Sequence, residues 1–159
     1  GLWLLLYAGS VRFQPHHLGY FNELSGGPSE GWRHLSDSNI DWGQDLNGLH
    51  NWLEERPVPN LKLAYFGTAP AQKLGIPHEL APIDLPQPGW YAASVCLIQG
   101  RPTPVRQPEG STIGLSINAF AYLQFFEPVD RIGSSIWIYH LTAEDCLRYQ
   151  SALQKQRAK

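Results

Sequence analysis

The chain has 159 residues, enough for one domain that buries roughly two-thirds of its unfolded surface. Charged residues make up only 16% and the formal net charge is −2, which excludes the basic footprint of an ordinary nucleic-acid binder. A 43% hydrophobic content excludes a disordered chain, while 13 Pro and 15 Gly call for many turns and long loops.

The chain contains no Met and begins at Gly1, so it is expected to be a piece, or a processed product, of something longer. Residues 2–8 (LWLLLYA) are apolar without a break. They are far short of the roughly 20 residues a membrane helix needs, and no basic region precedes them as in a signal peptide. Residues 1–10 are therefore set apart, either as a buried apolar segment or as the tail of a transmembrane helix with Trp3 and Tyr7 at the interface.

A helix is expected over 11–24, stopped by Gly26, Gly27 and Pro28, and a short strand over 32–35. The run DSNIDWGQDL (37–46) follows and is the most polar stretch with a visible purpose. Asp41 with Gln44 three residues later reads as a helix N-cap with its reciprocal partner. Leu46, Leu49 and Leu53, with Trp42 and Trp52, supply the apolar stripe of a helix ending at Arg56, before Pro57 and Pro59. Next come a strand over 61–66, a helical turn over 71–74 and a Pro-rich loop over 77–88. Residues 90–98 form the strongest strand, and its lack of alternation predicts cover on both faces. A loop over 100–114, a helical stretch over 118–126 and a connector or short strand over 128–132 lead to a buried strand over 135–141. Thr142 then caps a C-terminal helix with a fraying tail over 154–159.

Strands alternating with helices imply an α/β fold over 11–141, followed by a C-terminal helix and tail over 142–159. The expected sheet is small and layered, with about four to five strands, mostly parallel, flanked by helices; an edge strand could run antiparallel.

A helix cap needs one or two polar groups, and the 37–46 run carries many more. It lies between a strand and a helix, where open α/β sheets bind ligands. Asp41 and Asp45, four apart, would share a helix face, and Asp37 sits one loop earlier. Together with the amides they suit sugar hydroxyls or an oxygen-loving divalent cation, the one cofactor the sequence allows for and none that it requires. The structural alternative makes Asp37, Ser38 and Asn39 an Asx-turn and Asp41 the cap, with Asp45 in solvent. Gly67 and Thr68, after the 61–66 strand, are expected to offer backbone N–H groups at the same sheet edge. Of the six His residues, only His34 stands beside the acidic run, and none shows specific metal-ligand spacing. Cys96 and Cys146 are expected to be buried thiols, and their spacing does not decide whether they pair.

Several stretches together resemble a known family: 16–28 (HHLGYFNELSGGP), the 37–46 run, 63–69 (LAYFGTA), 89–92 (GWYA), 97–100 (LIQG), Arg131 to Gly133 and 136–139 (IWIY). In this order they resemble the C-terminal part of bacterial polyprenyl- or dolichyl-phosphate-sugar-dependent membrane glycosyltransferases, similar to protein mannosyltransferases. Two departures stand out: Ala69 runs straight into Pro70 where Asp-Pro is common, and Cys96 stands where a polar residue is more typical. The resemblance implies an extracytoplasmic α/β domain, on the periplasmic side of a bacterial inner membrane, behind many transmembrane helices. It places the catalytic acid in an upstream loop, so no residue of this chain is expected to be catalytic. Asp37, Asn39, Asp41, Trp42, Gln44, Asp45 and Thr68 are the candidate ligand-binding residues. Expected partners are the upstream membrane region, the membrane surface, and a lipid-linked sugar or glycan acceptor, with no nucleic acid. The rivals are an assembly module docking on membrane helices or a partner subunit, and a metal-dependent hydrolase built from Asp37, Asp41, Asp45 and His34.

Overall fold

The computed structural model describes Tyr7 and residues 41–157. The expected elements over 11–24 and 32–35, and with them Asp37, Asn39 and His34, lie outside the described residues. The described elements are α1 (Leu46–Glu55), β1 (Lys62–Ala64), a 3-10 turn (Ala71–Leu74), β2 (Glu79–Leu80), β3 (Gly89–Ser94) and α2 (Val95–Ile98). After them come β4 (Val105–Arg106), β5 (Thr112–Ile113), a second 3-10 segment (Ala121–Phe125), β6 (Asp130–Ile132), β7 (Ile136–Leu141) and α3 (Ala143–Arg157).

The main sheet has five strands in the order β2-β1-β3-β7-β6, and β4 with β5 forms a separate hairpin. β1 runs parallel to β2 and β3, whereas β7 runs antiparallel to both β3 and β6. The sheet is therefore mixed rather than mostly parallel. For the β6–β7 pair the cause is local: the two strands are joined by a turn of three residues, Gly133 to Ser135, and so short a connection permits only antiparallel pairing.

The strands alternate between two cores, and this is what makes them look uniformly apolar. Leu63, Ala92, Ile136 and Ile138 face α1, where they meet Leu46, Leu49 and Trp52. Ala64, Tyr91, Ala93, Trp137, Tyr139 and Leu141 face the opposite core, shared with α2, the second 3-10 segment and Cys146 of α3. Both faces of the central strands are covered, as the missing alternation predicts.

Several expected boundaries move. The 90–98 strand ends at Ser94, and Val95 to Ile98 form a helical turn whose four side chains are all buried. A fully buried turn and a fully buried strand have the same hydropathy, so pattern alone does not separate them. The helical stretch over 118–126 contracts to the 3-10 segment Ala121–Phe125. The loops over 77–88 and 100–114 contain β2 and the β4–β5 hairpin. The 71–74 turn is found as expected, and α3 continues to Arg157 instead of fraying at 154. Thr142 caps α3: the Asp145 amide donates to Thr142 Oγ1 (3.1 Å), and Asp145 Oδ2 accepts from the Thr142 amide (3.0 Å) and hydroxyl (2.7 Å).

Candidate functional site

The run from Asp41 to Asp45 crosses the carboxyl ends of β1 and β3 before α1 begins. α1 starts at Leu46, so Asp41 lies outside it, and Asp45 stands at its N-cap position without a side-chain capping hydrogen bond. Asp41 closes an Asx-turn instead: its Oδ1 accepts the Gly43 amide at 2.9 Å. Its Oδ2 accepts the Cys96 thiol at 3.6 Å, and the Ser94 hydroxyl supplies a further hydrogen bond. Ser94 Oγ in turn accepts the Phe66 amide at 2.9 Å, so Asp41 and Ser94 tie the loop to β3 and to the chain leaving β1. Gln44 is not a capping partner of Asp41; its Oε1 accepts the Trp42 amide at 2.8 Å.

Asp41 is fully buried, and burial pushes its carboxyl up to about 6 against the opposing hydrogen bonds from Gly43, Ser94 and Cys96. Burial, and after it the nearby Asp41 charge, raises Tyr65 to about 12 and drives the Cys96 thiol well above its ordinary value. Cys96 is thus a buried, protonated donor, and both Cys96 and Cys146 are free thiols.

Tyr65 explains two glycines. Its hydroxyl donates to the Gly43 carbonyl at 3.2 Å. A Cβ on either Gly43 or Gly67 would lie 2.1 Å from that hydroxyl, so the ring is wedged between the two backbones. Gly43 also sits at φ +79°, the left-handed region that favours glycine. The 37–46 run and the 63–69 stretch therefore depend on each other through one phenol.

Asp45 is not in solvent. It is 2% exposed, and its Oδ2 accepts the amides of Ser134 (3.0 Å) and Ser135 (3.0 Å) and the Ser135 hydroxyl (2.8 Å). It braces the β6–β7 turn onto the start of α1. Gly133, at φ +56°, lets that turn pass: a Cβ there would fall 2.2 Å from Asp45 Oδ1. The two described carboxylates of the run are therefore committed to separate scaffolding tasks. Among the described residues no group of three or more His, Cys, Asp or Glu could hold a metal ion.

What the loop presents outward is Trp42, 60% exposed. It forms one wall of a cleft of about 290 Å³ beyond the carboxyl end of β1, with Phe66 and Pro104 as the other apolar groups. Gly67, Thr68, Arg106 and Thr112 complete the lining. Two expected residues, Trp42 and Thr68, thus come together at the cleft, while Asp41 lies buried behind it and Asp45 faces the β6–β7 turn. Arg106 and Thr112 had no motif to announce them. They are direct cross-strand neighbours in the β4–β5 hairpin, whose signal was the turn sequence QPEGS between short apolar-polar pairs. A second cavity, of about 260 Å³, opens beside Ile98, Phe126 and Trp137 and contains none of the expected residues.

The chain matches no protein-family model, no curated protein and no solved structure. What the site does is therefore argued from its own groups.

Proposed function

We propose that this is a non-catalytic, saccharide-positioning domain at the C-terminal end of a membrane glycosyltransferase that draws its sugar from a polyprenyl-phosphate donor. One observation carries the reading: an exposed Trp42 faces a cleft with Thr68, Thr112 and Arg106 at the carboxyl end of the parallel strands. An indole offers a flat apolar surface to the C–H face of a sugar ring, and threonine hydroxyls donate to or accept from its hydroxyls. In this reading Asp41 and Asp45, both buried and held by structural hydrogen bonds, serve the scaffold of the site.

In this reading the domain lies on the extracytoplasmic side of a bacterial inner membrane and works with an upstream membrane region and a lipid-linked sugar or a glycan acceptor. Among the described residues no helix is long and apolar enough to cross a membrane, so such a region would lie elsewhere. An assembly module is the second reading, favoured by the same structural use of Asp41 and Asp45. Calorimetric titration of the chain with monosaccharides and short glycans, beside a transfer assay with a polyprenyl-phosphate sugar, separates the two. Binding without transfer is expected. Transfer by this chain alone would refute the non-catalytic assignment, and absence of all binding would favour assembly.

A further inference from the structure

The charge of the cleft narrows its ligand. Among the described residues that line the cleft, Arg106 is the ionised one and no carboxylate is present. Asp41, next to Trp42 in the chain, is fully buried and held by Gly43, Ser94 and Cys96. The hairpin's own carboxylate, Glu109, accepts the Ser111 hydroxyl at 2.5 Å near the tip and is not part of the lining. Arg106 is exposed on β4, and Thr112 stands opposite it in register, so the guanidinium and a hydroxyl project side by side from the hairpin. Thr68 faces them from the chain leaving β1, and Trp42 closes the third side. A guanidinium is a planar fork that matches a carboxylate or phosphate, and adjacent hydroxyls can donate to the same oxygens. The volume, about 290 Å³, lies at the low end of ligand pockets and suits one sugar ring with one substituent.

Building on the saccharide reading above, we propose that the Trp42–Arg106 cleft selects an acidic monosaccharide, a sugar ring bearing a phosphate or carboxylate group. The ring lies against Trp42, and the anionic group meets Arg106, Thr112 and Thr68. Sugar phosphates and uronic acids share this chemistry, and the titration distinguishes them.

The test is a two-dimensional NMR titration of the full 159-residue chain, following the Trp42 indole N–H and the Thr68 and Thr112 amides. The probes are glucose 1-phosphate, glucuronate, methyl glucoside and inorganic phosphate. At least one acidic sugar is expected to bind ten-fold or more tighter than both methyl glucoside and inorganic phosphate. Arg106→Gln is expected to remove that advantage and leave the melting temperature unchanged. Trp42→Ala should weaken both sugar classes together. Equal binding of acidic and neutral sugars, untouched by Arg106→Gln, overturns the acidic specificity while the saccharide reading stands. Phosphate binding as tightly as glucose 1-phosphate removes the sugar from the proposal. Silence for every probe overturns both readings.

Discussion

Two ends of one short loop carry similar residues under opposite conditions. At Asp45 the carboxylate is buried and meets three donors from the β6–β7 turn. At Asp41 the loop is held just as firmly on its inner side but exposes Trp42 on its outer side, over a cleft. The difference teaches that both described carboxylates of a dense polar run can serve the scaffold. What the described part of the run turns toward the cleft is the aromatic residue between the two acids.

The comparison can be broken first at the brace. Asp45→Ala leaves two amides and a hydroxyl unsatisfied, two of those three groups on the buried Ser135, and should destabilise the chain by about 3–5 kcal/mol in urea unfolding. A loss below about 1 kcal/mol would mean the brace is not structural. Gly43→Ala comes next: positive φ and the Tyr65 hydroxyl together should cost about 2–3 kcal/mol. Tyr65→Phe in the same chain should recover part of that loss, and strict additivity in the double-mutant cycle would contradict the wedge.

Asp41 sharpens the contrast through pH. Its native value of about 6 lies above the ordinary 3.8, so the folded state holds the proton between those values while the unfolded chain has released it. The contribution to stability is fully present below about pH 4, is lost as pH rises through 6, and changes little above. The raised value corresponds to roughly 2–3 kcal/mol across that window. Asp41→Asn, which cannot titrate, should therefore lose less stability than the parent chain between pH 4 and 7. Parallel stability curves for the two proteins would show that the buried carboxyl does not titrate there. The smallest stability effects belong to the cleft: Arg106→Gln and Trp42→Ala should each stay within about 0.5 kcal/mol, since both side chains are exposed.

Much of this architecture was legible. Each of the apolar runs 61–66, 90–98 and 135–141 holds a strand, at Lys62–Ala64, Gly89–Ser94 and Ile136–Leu141, because hydrophobic runs between Pro and Gly breakers leave few other options. The Thr142 cap was readable because both partners are close in sequence. What escaped were long-range partners. Asp45 finds Ser135 across 90 residues, and Cys96 reaches Asp41 across 55, so neither local spacing nor periodicity carries the information. The same holds for direction: the short Gly133 to Ser135 turn makes β7 antiparallel to β6, yet the strand itself looks no different from a parallel one. At the site, Trp42 and Thr68 line one cleft, whereas Arg106 sat unnoticed in a Pro-rich loop that folds back as a hairpin.

The division between scaffold and ligand surface is tested most directly by one titration. Asp41→Asn protein is mixed with glucose 1-phosphate at pH 7, and the Trp42 indole N–H is followed by NMR. The account predicts saturation with a Kd within about twofold of the parent chain, a difference of roughly 0.4 kcal/mol. A folded Asp41→Asn protein that no longer binds, beside a parent chain that does, would make the carboxylate a ligand group and contradict it.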